Sequence, residues 1–130
     1  MDSFRIGAIQ MNTQGDKARN MATAERLIDE AASMGANVVG LPEMFNIYGP
    51  KDYRGNGAEP VPGPTSQFLS RKAKQHGIYL HGGSIPESLD GGAKVGNTSL
   101  LYGPDGELIS LYRKIHLFDI DVVEIGRAHV

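Results

Sequence analysis

The segment Tyr112-Arg113-Lys114-Ile115-His116-Leu117-Phe118-Asp119 gathers cations and potential cations among aromatic and apolar anchors. Before it, Leu108, Ser110 and Tyr112 alternate with Ile109, Leu111 and Arg113, the period of two that marks a strand. Lys114 therefore leaves a strand end, where the sheet can hold its backbone while the ammonium points into a cleft. Partly desolvated there, it would stabilise a developing negative charge. Glu43 is the second residue of this kind. It follows Pro42, which stops the apolar run Ala36 to Leu41, so a carboxylate stands just past the carboxyl end of a central strand. Open α/β sheets bind ligands at that edge. A carboxylate and an ammonium held there together suit acyl transfer, one moving protons and the other steadying an oxyanion. Taken singly, each also reads as a solvated surface charge, and the sequence contains no cysteine to act as a nucleophile.

Positioning these two residues requires a sheet. Phe4 to Met11 reads as a buried strand, with Ile6, Ala8 and Ile9 apolar and Gly7 allowing a close neighbour. Asp16 is the expected N-cap of a helix whose apolar face is Met21, Ala24, Ile28 and Ala31, with Glu25, Arg26, Asp29 and Glu30 mostly on the other face and Gly35 beyond the end. With Ala36 to Leu41 this makes a strand-helix-strand unit with a crossover long enough for a parallel pair. A glycine- and proline-punctuated stretch follows to Pro64, carrying Phe45, Tyr48 and Tyr53; a loop of that length in a compact domain is usually functional. A second helix is expected from Gly63-Pro64-Thr65 to Gly77, burying Phe68, Leu69 and Ala73. Three further strands are expected: Ile78 to Ile85, Val95 to Tyr102 and Glu107 to Arg113, joined by turns at Asp90-Gly91-Gly92 and Gly103-Pro104-Asp105-Gly106. Parallel units thus pass into an antiparallel meander, the pattern of an α/β fold with a mixed sheet.

Bulk composition narrows the function classes. A chain of 130 residues with 40% hydrophobic content can bury a core, and a net charge of -2 with interspersed signs offers no basic stripe for nucleic acid or for a membrane surface. No apolar run is long enough to span a bilayer, and Met1 to Arg5 leads into a strand without a signal-peptide core, so the expected compartment is the cytoplasm. His76 and His81 flank Gly77 without metal-ligand spacing, and the glycines at 82, 83, 91, 92 and 96 form no phosphate-binding fingerprint, so no metal and no cofactor are expected.

Five motifs in order, Leu41-Pro42-Glu43, Gly82-Gly83-Ser84-Ile85-Pro86-Glu87, Asn97-Thr98, Gly103-Pro104-Asp105-Gly106 and Tyr112 to Asp121, resemble the nitrilase, or carbon-nitrogen hydrolase, superfamily, and within it most of all the omega-amidase branch. The resemblance runs from Phe4 to about Val123. It implies the N-terminal part of an α-β-β-α sandwich with a mixed β-sheet and helices on one face, and a Glu-Lys-Cys triad hydrolysing a small amide to acid and ammonia. Glu43 matches the general base and Lys114 the cation of that triad, while the cysteine falls beyond this sequence, which should therefore be inactive alone. Phe45, Tyr48 and His116 are candidate substrate-binding residues, His116 more as a prop for the loop holding Lys114. The implied partner is a small-molecule amide, with a homodimer as the assembled form. Gly96 stands where that branch usually has an aromatic residue. An amidase of another branch, acting on N-carbamoyl compounds or deaminated peptides, and a catalytically dead scaffold on the same fold are the rival expectations. Ile125 to Val130 match what a common sequencing-adapter oligonucleotide encodes, so the domain is expected to occupy residues 1–123, with 124–130 a non-native tail.

Overall fold

Strands β1 (Ile6–Ala8), β2 (Val38–Gly40) and β3 (Tyr79–His81) run parallel and adjacent in a computed structural model that describes residues 3–49, 57–115, 119–122 and 126–129, the last two segments as backbone. Helix α1 (Lys17–Ser33) crosses from β1 to β2, and α2 (Pro64–His76) from β2 to β3. Asp16 caps α1 as its composition predicts, accepting the N–H of Arg19 at 3.1 Å. Proline opens α2, and Gly77 closes it in the left-handed region at φ 61° and ψ 40°.

Both crossovers step in the same direction along the sheet, so both helices lie on one face. There Ala24 and Ile28 of α1 and Phe68, Leu69 and Ala73 of α2 pack with Val39, Leu80, Leu100 and Tyr102 into a single core. Full burial of each larger side chain contributes roughly 1.5–3 kcal/mol. The two helices are also pinned by charge. Lys72 of α2, 4% exposed, lies 2.6 Å from Asp29 and 3.5 Å from Glu25, and His76 lies 2.6 Å from the same Asp29. Glu25 and Asp29 therefore reach α2 while staying partly open to solvent, because the polar flank of α1 is where the second helix docks.

The meander places β5 (Lys94–Tyr102) in the middle. One edge of β5 pairs antiparallel with β3 and then with β4 (Ile85–Leu89), and its other edge pairs with β6 (Leu108–Arg113). The single strand expected over Ile78 to Ile85 is thus two strands, interrupted at Gly82-Gly83-Ser84. β7 (Asp119–Val122) and β8 (Gly126–His129) form a separate two-stranded antiparallel sheet.

Among the described residues helices cover only one face of the sheet, and this corrects the reading of β1. Ile6 pairs in register with Val38 and Tyr79 on the opposite face, where Ile6 remains 62% and Tyr79 46% exposed. Alternation of apolar residues on both sides of β1 suggested burial on both sides. Only Gly7 of this strand points at the helices, and β1 is an edge strand among the described residues. No helix among the described residues is long and apolar enough to cross a membrane.

Candidate active site

Glu43 is delivered by the break between β3 and β4. The N–H of Leu41 still donates to the carbonyl of His81 at 2.9 Å, continuing the β2 ladder, and the chain then turns at Pro42. Gly83 makes the turn possible. It sits at φ +56°, and a Cβ there would lie 2.0 Å from the Pro42 carbonyl oxygen and 2.5 Å from that of Leu41. Ser84 then holds the far side of the turn, its Oγ accepting the N–H of Met44 at 3.0 Å and its carbonyl that of Phe45 at 3.3 Å. Met44 is buried with φ +54°, a conformation that costs a non-glycine residue about 1–2 kcal/mol. The surrounding hydrogen bonds sustain that strain, and the result is a Glu43 side chain held out of the core, 61% exposed.

Lys114 is fixed through its neighbour. Arg113 forms a bidentate pair with Glu87, Nε to Oε1 at 2.7 Å and a terminal guanidinium nitrogen to Oε2 at 2.8 Å, while the Thr98 hydroxyl donates to Oε1 at 2.7 Å. Burial alone would raise the Glu87 carboxyl, but the hydrogen bonds from Arg113 and Thr98 outweigh it and hold the group below the ordinary carboxylate range. Arg113 thus clamps the end of β6 on the helix side. Lys114 then leaves the strand with its N–H donated to the Asn97 carbonyl at 2.9 Å, and its Nζ lies 3.5 Å from Oε1 of Glu43. Asn97 Nδ2 donates to that same oxygen at 2.8 Å.

The pair stands between two clefts. One, of about 510 Å³, is walled by Leu41, His81, Ser99, Tyr112 and Asn97, and the other, of about 530 Å³, by Met11, Thr13, Pro42 and Tyr48; Glu43 and Lys114 line both. An exposed ion pair of this kind contributes only about 0–1 kcal/mol to stability, so fold maintenance is a weak reason for its presence. His81 faces the first cleft with Nδ1 accepting the N–H of Gly83 at 3.1 Å, which leaves its proton on Nε2.

Of the residues singled out from sequence, Glu43 and Lys114 come together across 71 positions, and Tyr48 lines the second cleft at 52% exposure. Phe45 does not join them: it is fully buried in the core beyond the strained turn at Met44, and this corrects its candidacy as a substrate-binding residue. His116 lies outside the described residues. His76 belongs to the helix–helix ion cluster, and among the described residues no three His, Asp or Glu side chains converge as a metal would require. Sequence reasoning passed over Asn97, Ser84 and Glu87 as site residues, although all three stand within the motifs that carried the resemblance.

Comparison with known proteins agrees with this geometry. The chain is 52% identical over 126 residues to the zebrafish (Danio rerio) protein Omega-amidase NIT2, covering 94% of this chain and 43% of that protein. It is 52% identical over 123 residues to the human Omega-amidase NIT2, covering 94% of this chain and 44% of that one. It therefore spans less than half the length of these relatives. Among solved structures, Saccharomyces cerevisiae Nit3, a member of branch 10 of the nitrilase superfamily, superposes with a TM-score of 0.77 at 33% identity, covering 88% of this chain and 45% of that one. Residues 5–129 match the carbon-nitrogen hydrolase family, and with the sheet, the helices and the carboxylate–ammonium edge all in place, the chain belongs to that family.

Proposed function

We propose that this chain supplies the general base and the oxyanion-stabilising cation of an amidase that hydrolyses a small amide to an acid and ammonia. The observation that carries the reading is the 3.5 Å approach of Lys114 to Glu43 at a sheet edge open to two clefts. In this scheme the Glu43 carboxylate takes the proton of a thiol, whose sulfur attacks the amide carbon. The Lys114 ammonium balances the charge that gathers on the carbonyl oxygen. The C–N bond then breaks as the leaving nitrogen takes a proton and departs as ammonia, and Glu43 deprotonates the water that hydrolyses the thioester. The thiol must come from outside these residues, which contain no cysteine. These 130 residues alone should release no ammonia.

Similarity to the omega-amidases supports the terminal amide of a small keto-dicarboxylate monoamide as the substrate. A cytoplasmic setting and assembly as a homodimer belong to the same proposal. The test is turnover in the protein complete with its nucleophile: Glu43→Gln and Lys114→Ala should each lower kcat by about 100-fold or more. Near-parental rates in either variant would remove that residue from the chemistry, and light scattering on the same protein checks the dimer.

A further inference from the structure

Asn97 lies in β5 opposite Pro86, and its two polar ends serve different residues. Its backbone carbonyl accepts the N–H of Lys114 at 2.9 Å, and its Nδ2 donates to Glu43 Oε1 at 2.8 Å, the oxygen that the Lys114 ammonium approaches at 3.5 Å. One strand position thus ties together two charged residues 71 positions apart. The remaining atom, Oδ1, is buried without a hydrogen-bond partner. A buried amide placed for stability alone would satisfy both ends, because an unmet buried acceptor is destabilising. Reversing the amide would set Oδ1 against a carboxylate oxygen, acceptor against acceptor. The orientation is therefore dictated by Glu43, at the expense of Oδ1.

We propose that Asn97 is a positioning residue for the base: it fixes Oε1 of Glu43 beside Lys114 and leaves proton transfer to Oε2. The inference rests on the reading of Glu43 as the general base, and the two can fail separately. Thr98 next to it points to the other face and serves the Glu87–Arg113 clamp, so adjacent residues of β5 set the geometry of Glu43 and of Lys114 in turn.

Two measurements test it. In the ¹⁵N-labelled chain, the side-chain amide protons of Asn97 should resonate downfield and should move in Glu43→Gln; insensitivity to that substitution would overturn the contact and the proposal. In the protein complete with its nucleophile, Asn97→Ala and the near-isosteric Asn97→Asp should each lower kcat about 10- to 100-fold, the range expected for losing one hydrogen bond to a charged group, while KM changes by less than about 3-fold. The deficit of Asn97→Asp should narrow as pH falls, because the introduced carboxyl can donate once it shares a proton with Glu43. Asn97→Ala should melt no lower than the parent, since the unmet acceptor leaves with the donor. Parental kcat in both variants where Glu43→Gln is dead would overturn the role of Asn97 and leave the amidase reading standing. A collapse of thermal stability in Asn97→Ala would make it structural and also overturn the proposal. Full activity in Glu43→Gln would sink the reading and the inference with it.

Discussion

Gly83→Ala tests whether the close approach that presents Glu43 is rigid, and the fold supplies its own control. Gly83 and Gly77 both sit at positive φ, +56° and +61°, but an added methyl at Gly83 would lie 2.0 Å from the Pro42 carbonyl oxygen, whereas one at Gly77 would meet nothing within 4 Å. Gly77→Ala therefore isolates the cost of placing an L side chain at positive φ, about 1 kcal/mol. Gly83→Ala carries that cost and an overpacking cost of about 1–3 kcal/mol besides, because a carbon must stand roughly 3 Å or more from a carbonyl oxygen and the Pro42 segment has to shift by about 1 Å. The total should be about 2–4 kcal/mol, a large fraction of the roughly 5–15 kcal/mol typical of a domain. Urea denaturation followed by circular dichroism measures both variants against the parent. If Gly83→Ala loses no more than Gly77→Ala, within about 0.5 kcal/mol, Pro42 yields freely and the account of how Glu43 is held is wrong.

Glu87→Gln should destabilise the chain by about 1–3 kcal/mol, because the bidentate partner of Arg113 and the acceptor for Thr98 lose their charge in a buried position; an unchanged thermal midpoint would refute the clamp. Acid should destabilise the fold through three carboxyls. Hydrogen bonding from Lys72, and then from His76, lowers Asp29; for Glu59 and Glu87 burial pushes upward but is outweighed by Lys17 and Thr65 in the first and by Arg113 and Thr98 in the second. Each folded value lies below the unfolded one, so the stabilisation is complete above the ordinary carboxylate range and is lost as pH falls through the depressed values. The urea midpoint should therefore decline steadily below about pH 5, and a flat profile down to about pH 3 would exclude this linkage.

Features that depend on a few neighbouring residues were legible in the sequence. Asp16 and Gly77 bound their helices because capping is local chemistry, and Glu43 and Lys114 were readable as strand-end charges because Pro42 and the alternation of 108–113 mark where the strands stop. What escaped depends on neighbours distant in sequence. Ile6 reads as core until the sheet order shows β1 at an edge with one face uncovered. Phe45 reads as a substrate-binding candidate until the turn at Met44 is seen to carry it inward. Ile78 to Ile85 reads as one strand through Gly82 and Gly83; only the passing Pro42 carbonyl explains why the strand breaks there. Asn97 carries no periodic or charge signal of its own, and its side chain meets a carboxylate 54 positions earlier.

The place of β6 bears on how long the site persists in the folded chain. β6 pairs with β5 alone among the described strands, and it leads directly into Lys114, whose contact with Glu43 spans 71 positions. An outer strand is prone to open without global unfolding, and fraying of β6 from its carboxyl end would release the Lys114 N–H from Asn97 and the ammonium from Glu43 in one movement. Against that motion stands the Arg113–Glu87 clamp, so exchange of the Lys114 amide hydrogen with solvent reports the lifetime of the assembled site separately from the lifetime of the fold.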